Sequence, residues 1–495
     1  MDGGDGAAGF PPLDIRRRSL IISDPMSYLY RNLCLSLIGL LLLGYAIGGK
    51  GFAYLGIPPL FIGDVVLLIS VFLFFSAPDI RILTSSKTTW AILVFDLWCA
   101  AQTIPHLEAY GLDALRDAVI YGYSIFALLI AAYMNDKDVI RRFVNMYAKL
   151  SFIIVILLPV LIVIQPAETD FAGGDAPLLS LKSGDLAVHL TGALAFRLLG
   201  LGGNATPRPG LTRRILDGLF WASWSMAAVW TMSISRGSML AVFGGILVLN
   251  LFGIGRRFVL GGMALAVVAL VTFSTFGVRI ETERREVSAE QLVANALSVF
   301  MDERPVGSFE GVDFIDLEGT TYWRLSWWQD ILDYTMLGDY FWTGKGFGVN
   351  LADNDGYQVD PEGRLRSPHN GHLTILARAG VPGLLLWTTV FVTFAAALIA
   401  AMARLRRVGA IGWQRLNLWV LVYWVAGTIN ATFDVYLEGP QGGIWYWSII
   451  GFGIAIMSVE QRALAPRPMS PPAQPFAAEH FSRHSRSDTL NQRAP

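Results

Sequence analysis

Long apolar runs recur along this chain with short polar joints between them, until the pattern stops for about ninety residues, from Arg279 to His369. Runs suited to membrane helices fall at 33–49, 57–77, 88–105, 115–134, 145–164, 186–201, 215–235, 237–254, 257–277, 381–403, 416–432 and 441–459. A helix needs ~20 such residues to cross ~30 Å of hydrocarbon. The sixth run is among the shortest and carries His189 and Arg197. The pattern predicts an all-α polytopic membrane protein with about 12 transmembrane helices and one large external loop containing surface helices.

Five regions follow from it: an N-terminal segment at 1–32, a membrane domain at 33–277, the large loop at 278–380, a second membrane block at 381–460 and a tail at 461–495. The tail is rich in Pro, Ser, Arg and His without apolar periodicity, and reads as a disordered extension. The N-terminus is polar and Gly-rich through Phe10 and basic at Arg16, Arg17 and Arg18, so the first apolar run reads as a retained helix rather than a cleaved signal.

Basic residues assign the sides. Arg31, Arg81, Lys87, Lys137, Arg141, Arg142, Arg208, Arg213, Arg214, Arg256, Arg257, Arg404, Arg406, Arg407 and Arg415 fall in alternate joints, together with the N-terminal arginines. The other joints hold scattered cations such as Lys50, Lys182 and Arg236. The positive-inside rule then puts both termini in the cytoplasm and the large loop outside.

Composition agrees with a lipid-solvated chain: 54% of residues are hydrophobic and 16% charged, where soluble domains carry roughly 25% charged residues. A formal net charge of -1 argues against nucleic acid as a partner. Cys34 and Cys99 lie inside apolar runs and read as small buried hydrophobes, with no disulfide or metal spacing.

On the external side, several residues stand out. Arg236, in Ser233-Ile-Ser-Arg-Gly237, lies at a span end where the positive-inside rule disfavours arginine. It reads either as a snorkelling interfacial cation or as an anion ligand beside a glycine that permits close approach. Arg324 sits in an aromatic segment with Tyr322, Trp323, Trp327 and Trp328, whose apolar offsets predict an amphipathic surface helix. Those rings suit an interfacial belt or a sugar-stacking surface, and the arginine fork suits phosphate.

Ser367-Pro368 reads as an N-cap and first helical residue, which places His369 in a first helical turn. A helix N-terminus disfavours imidazolium, so His369 is a candidate general base. Asn370 and His372 are secondary candidates, but the two histidines lack a third ligand for a metal site. The Asp353–Gly356 cluster lacks calcium-loop periodicity and reads as a turn. Asp434 and Glu438 lie between the last two spans, where either could orient an acceptor or a histidine, or be a solvated loop acid.

Three pieces together resemble the O-antigen ligase and Wzy-type polymerase superfamily of bacterial membrane glycosyltransferases. They are Ser235-Arg-Gly237, Arg324 with Trp328 ahead of Gly344-Lys-Gly-Phe-Gly348, and His369-Asn370 ahead of Gly380-Val-Pro-Gly-Leu384. The match is best from Leu186 to Trp447 and rests on order and spacing around one loop. The resemblance implies a fold similar to the GT-C class and a location in the bacterial inner membrane with a periplasmic active site. It also implies a polyprenyl-diphosphate-linked glycan as donor and a glycan, lipid or protein as acceptor. Arg236 and Arg324 would hold the diphosphate and His369 would act on the acceptor hydroxyl, with no cofactor and no metal. Polysaccharide-assembly proteins would be further partners. Ligase and polymerase both fit.

Two other classes compete with this reading. A multi-span transporter or flippase would place its ionisable groups at mid-membrane, whereas here the candidate charges cluster on the external surface, with Asp64, Asp96, His189 and Arg197 as the main exceptions. A membrane scaffold would tolerate change at His369.

Overall fold

Each apolar run can satisfy its own backbone only as a helix, because lipid offers no hydrogen-bond partners. The computed structural model describes residues 25–57, 60–76, 86–165, 177–202, 210–254, 280–281, 286–287 and 314–464. Its principal helices are α1 (Pro25–Gly48), α2 (Ile62–Ser76), α3 (Lys87–Thr103), α4 (Leu112–Gly122), α5 (Ser124–Tyr133), α6 (Lys137–Ile164), α7 (Ser183–Leu198) and α8 (Leu211–Ile234). There follow α9 (Arg236–Leu251), α10 (Phe314–Leu332), α11 (Leu351–Asp355), α12 (Gly371–Arg407), α13 (Ile411–Phe433) and α14 (Pro440–Leu464). Two small antiparallel hairpins pair Gly56–Ile57 with Leu60–Phe61 and Ile280–Glu281 with Glu286–Val287.

The protein is an all-α polytopic membrane protein. Among the described residues, α1, α6, α12, α13 and α14 are long and apolar enough to cross a membrane. The pair α4–α5, bent by 42°, passes the same test if taken as one span. α2 and α9 are apolar but shorter. Every expected span falls on a helix except 257–277, which lies outside the described residues, as do residues 1–24, the loop stretch 288–313 and the tail after Leu464. The span expected at 145–164 begins earlier, at Lys137, because Asp136 caps it by accepting the Asp138 N–H at 2.7 Å.

The core gathers on α13 and α14. α13 packs on α7, α9, α12 and α14, while α14 also packs on α5. Trp387, Trp413, Trp419 and Trp447 are fully buried there. α7 and α13 touch at Gly192, where a Cβ would stand 2.1 Å from the Tyr423 ring. Small residues at such crossings let membrane helices approach closely. Cys34 and Cys99 are buried, as expected of them.

The break before the tenth expected span is real, but α12 runs through it. Gly380 has φ 69° and ψ -173°, inside a helix that continues to Arg407. A kink there, with Pro382 lacking an N–H, strands the carbonyls of Ala377, Arg378 and Ala379. The loop supplies the missing donors. Lys345 N–H donates to Ala377 O at 2.7 Å, Gly346 N–H to Arg378 O at 3.1 Å, and the Trp98 indole to Ala379 O at 2.9 Å. Val381 N–H in turn donates to Phe341 O at 2.8 Å. The Gly344-Lys-Gly-Phe-Gly348 motif is thus a strap across a broken helix, with Gly346 at φ 82° against the His106 ring.

Candidate functional site

The end of α13, Phe433-Asp434, collects the charged groups. α9 starts at Arg236 behind an N-cap, Ser235, whose hydroxyl accepts the Ser238 N–H at 3.4 Å. The next residue, Gly237, packs so closely that a Cβ would lie 3.0 Å from Phe433 Cβ. Arg324, on α10, donates from Nη1 to the Phe433 carbonyl at 3.2 Å. Arg324 and the backbone next to Arg236 therefore meet one residue, Phe433, from different helices. On the adjoining Asp434, Lys182 Nζ donates to Oδ1 at 2.7 Å, and His369 Nδ1 stands 3.9 Å from the same oxygen. Lys182 and Asp434 are 252 positions apart in the chain.

His369 is not in a helical turn. Asn370 is the N-cap of α12, its Oδ1 accepting from His372 N–H at 3.0 Å and Leu373 N–H at 3.1 Å. The expected Ser367 cap fails because Ser367 is buried and bonds Glu438 instead. His369 thus precedes the cap with φ 53°, the one non-glycine residue at positive φ among the described residues. Such a conformation costs of order 1–3 kcal/mol and persists only when neighbours hold it. Pro368 O accepts the Trp328 indole N–H at 2.9 Å on one side, and the Asn370 cap fixes the other.

Charge follows this geometry. Burial alone would raise the Asp434 carboxyl, but Lys182 and His369 outweigh it and hold the group well below the usual carboxylate range. Glu438 goes the other way: burial raises it, and Arg378, Ser367 and Thr374 only partly offset that. Thr374 Oγ1 donates to Glu438 Oε1 at 3.0 Å.

Residues 221–388 match a protein-family model described as O-antigen ligase. This stretch is similar to the O-antigen ligase domain. The matched stretch runs from α8 through the loop into α12, and so takes in Arg236, Arg324, His369, Asn370 and His372. Lys182 and Asp434 lie outside it. Among curated proteins no match is found.

Within the matched stretch the other candidates do structural work. His372 Nδ1 accepts the Trp387 indole N–H at 3.0 Å, which leaves its Nε2 to donate to Thr432 Oγ1 at 3.2 Å. That histidine is a satisfied core group and does not share a face with His369. α10 is the expected helix, but it buries Trp327 and Ile331 against Leu351, Ala352, Leu376 and Ala377, while Leu325 and Met336 stay exposed. The turn expected at Asp353–Gly356 is helical, formed by α11 and closed at Gly356. Asp355 there accepts from Lys345 Nζ at 2.5 Å and from the Trp327 indole at 2.7 Å.

A second knot fixes the approach to His369. Asp117 of α4 takes Arg366 Nη2 at 3.0 Å, Arg378 Nη1 at 2.8 Å and the Gly348 N–H at 2.9 Å. Nothing local in the sequence distinguishes Arg366 and Arg378, because their partner is about 250 positions away. Trp323 sets its ring edge-on to His369 at 6.5 Å, with Tyr357 6.2 Å from Trp323. Among the described residues no three His, Cys, Asp or Glu side chains gather as a metal site.

Next to the charged end, α1, α5, α6, α7, α13 and α14 line an apolar, partly open cavity of about 120 Å³. Leu35 to Ala46 of α1 and Phe143 to Leu158 of α6 line it lengthwise. Its wall on α7 begins at Leu186, one turn from Lys182, and includes His189, whose Nδ1 shares a 2.6 Å hydrogen bond with Tyr423.

Proposed function

We propose that this protein transfers a glycan from a polyprenyl-diphosphate carrier to an acceptor hydroxyl. The setting is the periplasmic face of the bacterial inner membrane, in a chain of twelve spans with a GT-C-like fold and cytoplasmic ends. The observation that carries the reading is the approach of Arg324 and His369 to Phe433-Asp434, with Gly237, the residue after Arg236, packed on Phe433. It is supported by the O-antigen ligase match over residues 221–388.

In this reading the diphosphate lies against Arg236 and Arg324, and the carrier chain descends into the apolar cavity. The acceptor oxygen attacks the anomeric carbon from the face opposite the diphosphate, with inversion. The carbon–oxygen bond to the diphosphate breaks and its electron pair stays on the diphosphate oxygen. Guanidinium groups aimed at that growing charge lower the barrier. The acceptor proton goes to His369. Nδ1 of that ring is turned toward Asp434, which leaves Nε2 for the proton, the division of labour of a hydrolase triad.

Purified protein in detergent, given lipid-linked donor and acceptor, tests the reading where transport has no meaning. His369→Ala should retain donor binding and lose transfer by about 10²–10⁴-fold. Arg324→Lys should be impaired nearly as badly as Arg324→Ala, because it keeps charge without the fork. Unaltered transfer by His369→Ala removes the base assignment. Deleting the gene and separating surface polysaccharide on a gel divides the two family activities: single repeats left on their anchor mean a polymerase, unattached long chains a ligase.

A further inference from the structure

Asp434 Oδ1 is a contested atom. It accepts from Lys182 Nζ at 2.7 Å and from the Val435 N–H at 2.8 Å, while the His369 ring waits at 3.9 Å. We propose that Lys182 is a third cation of the donor site, and that it passes from Asp434 to the incoming diphosphate, handing Asp434 over to His369. The proposal rests on the glycosyl-transfer reading and adds an order to it: donor first, then an oriented base.

Three features make the exchange physically reasonable. Lys182 carries a compact charge on a flexible four-carbon stem, so it can change partners without moving backbone. Its side chain is partly exposed. It stands beside the residue that Arg324 grips, so the diphosphate between the arginines comes within its reach.

Asp434 also keeps support when the lysine leaves. The start of α7 lies against it, since a Cβ on Gly184 would fall 3.1 Å from Asp434 Oδ2. That end of the helix carries partial positive charge, and the Val435 N–H remains bound. The carboxylate then has one vacant position on Oδ1, and His369 Nδ1 stands 3.9 Å from it. Closing the 3.9 Å gap to hydrogen-bond distance fixes the ring and directs Nε2 to the acceptor. Without donor, Lys182 holds the carboxylate away from the base, which limits wasteful activation.

Inorganic pyrophosphate, as competitive inhibitor of the detergent-purified full chain, separates this from a plain ion pair. Lys182→Met should raise its inhibition constant about tenfold or more, the loss of one charge-assisted contact. Lys182→Arg should restore it to within about threefold. Asp434→Asn should lower it, because the lysine is then released toward the anion, and yet should slow transfer. If Lys182 only neutralises Asp434, the two changes break one pair and move the constant together or not at all, and either result overturns the proposal. His369→Ala, measured alongside, reports on the transfer reading by itself: lost transfer with an unchanged constant upholds it. Wild-type protein insensitive to pyrophosphate would overturn both.

Discussion

Asp117→Asn is the change with the largest structural lever on the site. The carboxylate is almost wholly buried, with side-chain exposure of 7%, and the two guanidinium groups on it are at 12% and 2%. Asparagine keeps the size but removes the charge and turns an N–H₂ toward cations. Breaking a buried pair by deleting one partner costs about 3–5 kcal/mol, because the remaining charge stays desolvated. Against a total of ~5–15 kcal/mol for a folded domain, that is about a fifth or more. The half-exposed Asp113, 3.5 Å from Arg366 Nη1, offsets only a little of it. At roughly 2 °C per kcal/mol for a large domain, the apparent Tm in detergent should fall by about 6–10 °C at a fixed scan rate. Arg366 stands three residues before His369, so loosening it should lower kcat more than it raises donor KM when transfer is measured well below the new Tm. The double variant Asp117→Asn, Arg366→Met should recover part of the loss, since it removes one stranded charge. An Asp117→Asn protein with Tm and kcat unchanged would refute the claim that this knot positions the base.

The remaining predictions concern the cavity, the kink and titration. A Cβ on Gly39 meets only Met146 Cε, at 4.0 Å, so Gly39→Phe should fold and fill the cavity. It should raise KM for a long-chain donor and leave a short-chain donor unaffected; equal effects on both would place the chain elsewhere. Gly380→Ala puts a methyl 2.5 Å from Phe341 O at φ 69° and should cost well over ~1–2 kcal/mol, read as lost thermal stability. For Asp434 the folded-state pKa is depressed, so the unfolded chain binds the extra proton over the acid range. Its stabilisation is full above the ordinary carboxylate pKa and is lost as pH falls through and below that range. Asp434→Asn should therefore lower Tm at pH 7 and narrow its gap to wild type as pH falls from about 5 to 3, a trend to be read by melting in that window.

What the sequence determined by itself is local in origin. Apolar length fixes helices, since a single segment satisfies its own backbone in lipid only that way, and each described apolar run lies on a helix. The break at Gly380 was legible from Gly and Pro alone. The ligase resemblance was legible from three short pieces, and the family match covers all of them. Capping was less so: the sequence points to Ser367-Pro368, but Ser367 is buried and bonds Glu438, and Asn370 caps the helix. The strap role of Gly344–Gly348 and the consumption of His372 by Trp387 needed tertiary contacts to appear.

The charge pairings belong wholly to the fold. Lys182 with Asp434, and Asp117 with Arg366, join positions about 250 apart. Periodicity and capping act over a few residues and carry no information at that range. Which carboxylate meets which cation is decided by helix packing around α13, where burial makes an unpartnered charge too costly to leave.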